Sequence, residues 1–249
     1  MKGERAWYAR SGGKLQELYT IMHLPYTSMV LSYVLIGAAL SPSFHPDRVI
    51  STLLAYFLGL GLSAHALNEL HARHWGETLA KRELEILCVV PLVAALLIGA
   101  YGMAFLYFSS GGLPAPLVLL AFIFLETFFL FAYNLDVSGG RFHTDASFAF
   151  SWAALPVIVS YYVNALTITV VALLVALAMA ATAGIEINLS RWCKDFRRKS
   201  QLTEMRFTDD IRLNVSTAEL IARPEKSLKL IVVAVDLVAL GLTVLKLFF

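Results

Sequence analysis

The chain has 249 residues, 58% of them hydrophobic and 15% charged, with mean hydropathy +0.69 and a formal net charge of +2. An ordinary soluble domain is about 25% charged, so a soluble fold could not cover this much apolar surface. The nearly balanced charge leaves no basic footprint for nucleic acid, and two cysteines, Cys88 and Cys193, suggest neither a disulfide framework nor a zinc site.

Residues 1–18 form a polar, basic arm, longer than the n-region of a usual signal peptide. Apolar runs long enough to cross a bilayer then recur along the chain. In lipid each run must be helical, because every backbone N–H and C=O needs an internal partner. Spans are predicted near Tyr19–Leu40, Ile50–Asn68, Leu84–Tyr107, Leu113–Tyr133, Phe148–Val163, Leu166–Ile185 and Leu228–Phe249. The fold class is therefore all-α, a single polytopic transmembrane helix bundle of about seven spans.

Lysine and arginine are distributed unevenly between the connections. One set holds Lys2, Arg5, Arg10 and Lys14, then Arg73, Lys81 and Arg82, then Arg141, then a run from Arg191 to Arg223. The alternate set holds Arg48 alone. By the positive-inside rule the basic set faces the cytoplasm, which puts the N-terminus inside the cell membrane and the C-terminus outside. Residues 188–226 form the long polar connection and are expected to lie along the cytoplasmic membrane surface, with Cys193 in this loop. Ser216 and Glu219 have capping-box spacing, and Pro224 is placed to open the helix leading to the last span.

Three segments on that face carry chemistry. Where the second span ends, His65, Glu69 and Arg73 recur at i, i+4 and i+8, with Asn68 beside them. This set suits a metal or a phosphate, and equally a solvated helix end. The fourth connection runs from Tyr133 and Asn134 through Asp136, Gly139, Gly140, Arg141, His143, Thr144 and Asp145. The glycine pair permits a tight turn. Both signs of charge gather around it, although Asp145 would also serve as a plain N-cap for span five. Where span six emerges, Glu186, Asn188, Arg191 and Asp195 would face a shared cavity or simply line an interfacial helix. The run Arg197-Arg198-Lys199 just beyond suits lipid headgroups.

Two acids fall inside spans, Glu126 in the fourth and Asp236 in the seventh. A charge there costs at least about 2.5–3.5 kcal/mol on insertion scales. Aromatics from Phe122 to Trp152 crowd spans four and five, either as lipid-facing packing or as a slot whose π-faces suit a cationic intermediate.

Together these segments resemble the UbiA superfamily of intramembrane prenyltransferases. His23-Leu-Pro25-Tyr-Thr27 through Gly37 looks like that family's first helix. Asn68-Glu69 sits where its first Asp-rich motif belongs, and Glu186 to Asp195 where its second belongs. Tyr133 to Thr144 is similar to the loop after its fourth helix. The resemblance covers roughly Leu18 to Asp195. It implies a prenyl diphosphate donor, a lipid-soluble or phosphate-bearing acceptor, and Mg²⁺ bridging the diphosphate to the acidic motifs. Carried across, Asn68 and Glu69 would hold one ion, and Glu186 and Asp195 another. Asp136 and Asp145 would join Asn68 and Glu69 in catalysis. His65, Arg73, Tyr133, Arg141, His143 and Arg191 would contact substrate.

The pattern departs from the family in three ways. Glu69 matches either the first or the second Asp of its motif, and in the latter case His65 takes the Asn position. The second motif lacks a clear Asp-x-x-x-Asp. The chain has room for about seven helices, where the family usually has nine. A non-catalytic relative, acting as scaffold or lipid-binding subunit, is the alternative. His71-x-x-His74 prompts a third reading as a membrane di-metal oxidase, and Glu126 with Asp236 a fourth as a transporter.

Overall fold

The computed structural model describes residues 6–10, 12–72, 78–199, 202–206 and 212–248. Eleven helices follow one another among them: α1 (Lys14–Ile21), α2 (Leu24–Leu40), α3 (Pro46–Tyr56), α4 (His65–Ala72), α5 (Lys81–Ser110), α6 (Pro114–Asn134), α7 (Val137–Gly140), α8 (Asp145–Ala149), α9 (Leu155–Ala165), α10 (Val170–Lys199) and α11 (Thr217–Phe248). Two strands, β1 (Leu202–Arg206) and β2 (Arg212–Ser216), pair antiparallel between α10 and α11.

Among the described residues six helical stretches are long and apolar enough to cross a membrane, or seven if α1 and α2, bent by 44° at their junction, form one span. The protein is a multi-pass membrane helix bundle. The expected spans recur with extended ends. Span two runs over Pro46–His71, and span five over Asp145–Ala165.

The bend in the first span has a local cause. His23 adopts a left-handed conformation (φ 45°) and Pro25 follows within the first turn of α2. Proline fixes φ and lacks an N–H, so it suits a helix start better than a helix interior. The span expected over Tyr19–Leu40 is therefore broken at His23.

Spans two and five each contain a π-helical stretch, Phe57–Ala64 and Phe150–Ala154. Wide turns of this kind rotate everything that follows relative to an ideal α-helix. Gly61 lies in the first of them, where a Cβ would collide with the Thr27 side chain of α2.

The core forms around α2 and α9. The window of span five is 78% buried, against 11% for α5, so α9 is central and α5 meets lipid. Gly37 on α2 lets the backbones approach so closely that a Cβ there would overlap the Val157 carbonyl. Small residues at such crossings supply the packing that drives helix association in lipid. On the other side of α2, the Ser28 and Ser32 hydroxyls donate to Asp236 of α11 at 2.9 and 2.8 Å.

The polar connection 188–226 is built differently from the surface strip expected. Span six continues as one helix to Lys199, which places Cys193 on a buried helix face rather than in a loop. The hairpin follows, and α11 starts at Thr217. Pro224 lies inside α11, so the helix begins at the Ser216 end and not at the proline. Arg197 of α10 pairs with Glu225 of α11, joining the two helices beyond the membrane core. At the opposite edge of this face, buried Glu17 accepts from the Thr78 and Leu79 amides at 2.9 and 3.2 Å. That contact fixes the chain entering α5.

Candidate functional site

The three polar segments, far apart in sequence, meet at one end of the bundle. Thr144 caps α8, accepting from the Ser147 amide at 3.1 Å. Asp145 is therefore not the cap, and its carboxylate is free to reach across. It pairs with Nη1 of Arg191 on α10 at 2.6 Å. The Arg191 guanidinium also lies within electrostatic reach of the Tyr133 hydroxyl at the end of α6.

The glycine turn closes as expected, with φ of 70° at Gly139 and 79° at Gly140. Asp136 and Ser138 also take positive φ, so the whole turn is tightly wound. It brings His143 back against the helix it left. The imidazole stacks on Tyr133 with ring centroids 4.4 Å apart. Its Nδ1 lies 2.8 Å from Asp136 and 3.0 Å from the Tyr133 carbonyl oxygen. His71 of α4 approaches the other Asp136 oxygen at 3.4 Å, linking the second and fourth connections. Arg141 is exposed at the rim.

An aromatic chain leads inward from Tyr133. Phe148 lies 5.9 Å from it and stacks on Trp152 at 5.4 Å. Trp152 meets His65 at 5.2 Å, and His65 meets His23 at 4.4 Å. Tyr8 and Tyr26 close the group, each against His23. Burial pushes the Tyr8 hydroxyl well above the ordinary tyrosine range, so it stays a neutral hydrogen-bonding group. Glu186 lies buried within electrostatic reach of Tyr8, Tyr26, Tyr33 and Tyr133. Glu69 is buried one helical turn beyond His65, and Asn68 beside it is half-buried.

Among the buried polar atoms with no hydrogen-bond partner are two nitrogens of this cluster, His65 Nε2 and Arg191 Nη2. Buried polar groups are nearly always paired, so both have capacity left for a polar ligand.

Among the described residues no three histidine, cysteine, aspartate or glutamate side chains gather to hold an ion. Glu186 and Asp195 are nine positions apart on one continuous helix, which is two and a half turns and so opposite faces. Glu186 is buried, while Asp195 and Asn188 are exposed. Arg73 and His74 lie outside the described residues.

Sequence reasoning gave no site role to Tyr8, His23 or Tyr26, and Trp152 entered it only among the crowded aromatics. The proline two positions after His23 was the available signal for a helix break there. Nothing in the sequence placed the Tyr8 arm against the bundle.

A second feature lies deeper in the membrane. A cleft with a cavity volume of about 170 Å³ runs among the second, third, fourth and fifth spans. Asp47 and Arg48 stand at one end, and Tyr56 and Glu126 face its interior. Phe122, one of the crowded aromatics, lines it. Phe124, Phe128, Phe131 and Phe150 are instead exposed on the bundle surface, as lipid-facing packing requires. None of the residues proposed for metal, substrate or catalysis lines this cleft.

Compared with known proteins, the chain matches no family model, no curated protein and no solved structure.

Proposed function

We propose that the protein binds the diphosphate end of an isoprenoid lipid at the cytoplasmic end of the bundle and transfers the prenyl group to an acceptor within the membrane, as a shortened relative of the UbiA-like prenyltransferases. The observation that carries this reading is Arg191. It is held by Asp145 yet keeps one buried nitrogen unpaired, at the point where the polar segments meet. A planar guanidinium with donors to spare suits a phosphate oxygen.

In the reaction, the allylic C–O bond breaks and its electron pair leaves with the diphosphate. The acceptor's nucleophilic atom then bonds the allylic carbon and releases its proton. Arg191 would stabilise charge on the leaving group, with His65 as a further hydrogen-bond partner. The ring faces of Trp152, beside His65, and of Tyr26, beside His23, would stabilise the allylic cation. Magnesium, which the resemblance implies, would need ligands beyond the expected four, and no step here is routed through it.

The lysine and arginine bias supports an orientation with this end cytoplasmic, the N-terminus inside the cell membrane and the C-terminus outside. A second reading is a non-catalytic subunit that holds the lipid diphosphate without turning it over. The separation of Glu186 from Asp195 on opposite helix faces favours it.

The deciding experiment measures pyrophosphate release from geranylgeranyl diphosphate by purified protein in lipid, with and without magnesium, for wild type and Arg191→Ala. Release lost in the variant supports transfer. Binding without release, equally lost in the variant, supports the holding subunit. Neither release nor binding overturns both.

A further inference from the structure

We propose that the intramembrane cleft is a binding site for a hydroxyl-bearing lipid, whose hydroxyl hydrogen-bonds Oε2 of Glu126.

The cleft walls are almost entirely apolar, contributed by Leu60, Leu92, Leu119 and their neighbours. Against them stands one acidic side chain in mid-span. Its Oε1 accepts from the Tyr56 hydroxyl at 2.5 Å, so that oxygen is satisfied within the protein. Its Oε2 is buried and has no partner. An unmet polar atom in an apolar site costs free energy, and more so in lipid, where no bulk water competes to satisfy it. The open space beside it is where a partner would come from.

The chemistry of the missing partner follows from the carboxyl group. A hydroxyl donates to a carboxylate and accepts from a carboxylic acid, so it serves Glu126 in either state. A hydrocarbon does neither. The remainder of the ligand must be apolar to match the walls. The access route fits a lipid: Leu96, Tyr101 and Phe105 line the cleft and are also exposed on the bundle surface, so it opens to the side. At its end Arg48 is anchored, donating from Nη1 to the Val163 carbonyl at 2.8 Å with its guanidinium over the Phe105 ring.

This site is separate from the His65–Arg191 cluster, and binding there does not depend on prenyl transfer. The two ideas fail separately, because the probe carries no phosphate.

The test uses native mass spectrometry of the full-length protein in detergent, with oleyl alcohol and the matching alkene without the hydroxyl. Wild type should retain the alcohol over the alkene by roughly five- to tenfold, the worth of one hydrogen bond. Glu126→Leu should bind both alike. Glu126→Gln, whose amide both donates and accepts, should keep most of the preference and guards against a folding artefact. Gly59→Leu, which fills the cleft beside Ala95, should lose both ligands. Equal retention of alcohol and alkene by wild type, or an undiminished preference in Glu126→Leu, would overturn the proposal.

Discussion

Arg191 on the sixth span meets Asp145 at the start of the fifth at 2.6 Å, and this ion pair joins two segments that the sequence separates by two transmembrane crossings. It forms because Thr144, and not Asp145, takes the capping role. The carboxylate is thereby left on the first turn, pointing at α10. Both side chains are about 40% exposed, so the pair orients the guanidinium more than it stabilises the fold.

Arg191→Ala should therefore cost little stability, about 0–1 kcal/mol. Its retention of geranylgeranyl diphosphate should fall on the order of tenfold or more, because a charge-assisted contact is lost. Arg191→Lys should recover only part of this, since a point charge cannot hold Asp145 and a phosphate in one plane. Thermal unfolding in detergent and a diphosphate binding assay separate the two effects. A large drop in unfolding temperature with unchanged binding would make Arg191 structural.

Asp236 is a structural acid. Its two oxygens receive Ser28 and Ser32 from α2. Asp236→Leu should destabilise the α2–α11 contact by about 1–2 kcal/mol, given roughly 0.6 kcal/mol for an average interhelical hydrogen bond in a membrane and up to about 1.7. Asp236→Asn should lose less than half of that, because the amide oxygen still accepts. Reversible unfolding in mixed micelles reads the difference. Neither variant should alter diphosphate binding.

Gly37→Ala should be the most damaging single methyl in the bundle. The added carbon would meet the Val157 carbonyl and its own Cα, which are backbone atoms that cannot swing aside. Separating α2 from α9 opens the centre of the core, at a cost of about 1–3 kcal/mol or more. Gly241→Ala on α11 has nothing within reach and should be neutral. The yield of monodisperse protein and its unfolding midpoint compare the pair. Equal behaviour would show that the close crossing is not formed.

The orientation is testable without any substrate. Val137→Cys lies in the glycine turn and Ser110→Cys at the far end of α5, and both positions are exposed. The native Cys88 and Cys193 are buried and should stay silent. A membrane-impermeant maleimide added to intact cells should label Ser110→Cys and spare Val137→Cys until the membrane is opened. The reverse pattern would invert the topology.

The sequence by itself determined that this is a membrane bundle, how many times it crosses and which residues are polar at one end. These follow from length and hydropathy, because lipid leaves the backbone no choice but helix. The glycine turn was equally legible, since only glycine adopts its dihedrals cheaply. What the tertiary structure decided was which polar residues meet. Helical phase separated Glu186 from Asp195, although they sit close in sequence. The π-helical stretches before His65 and around Trp152 set which way those rings face, and no spacing rule anticipates an added residue per turn. The break at His23 set that ring against His65. Tyr56 and Glu126, on different spans, are joined only because α3 and α6 line the same cleft. Burial along one helix can be read from its own sequence, but the partner across a gap belongs to another helix, and packing alone selects it.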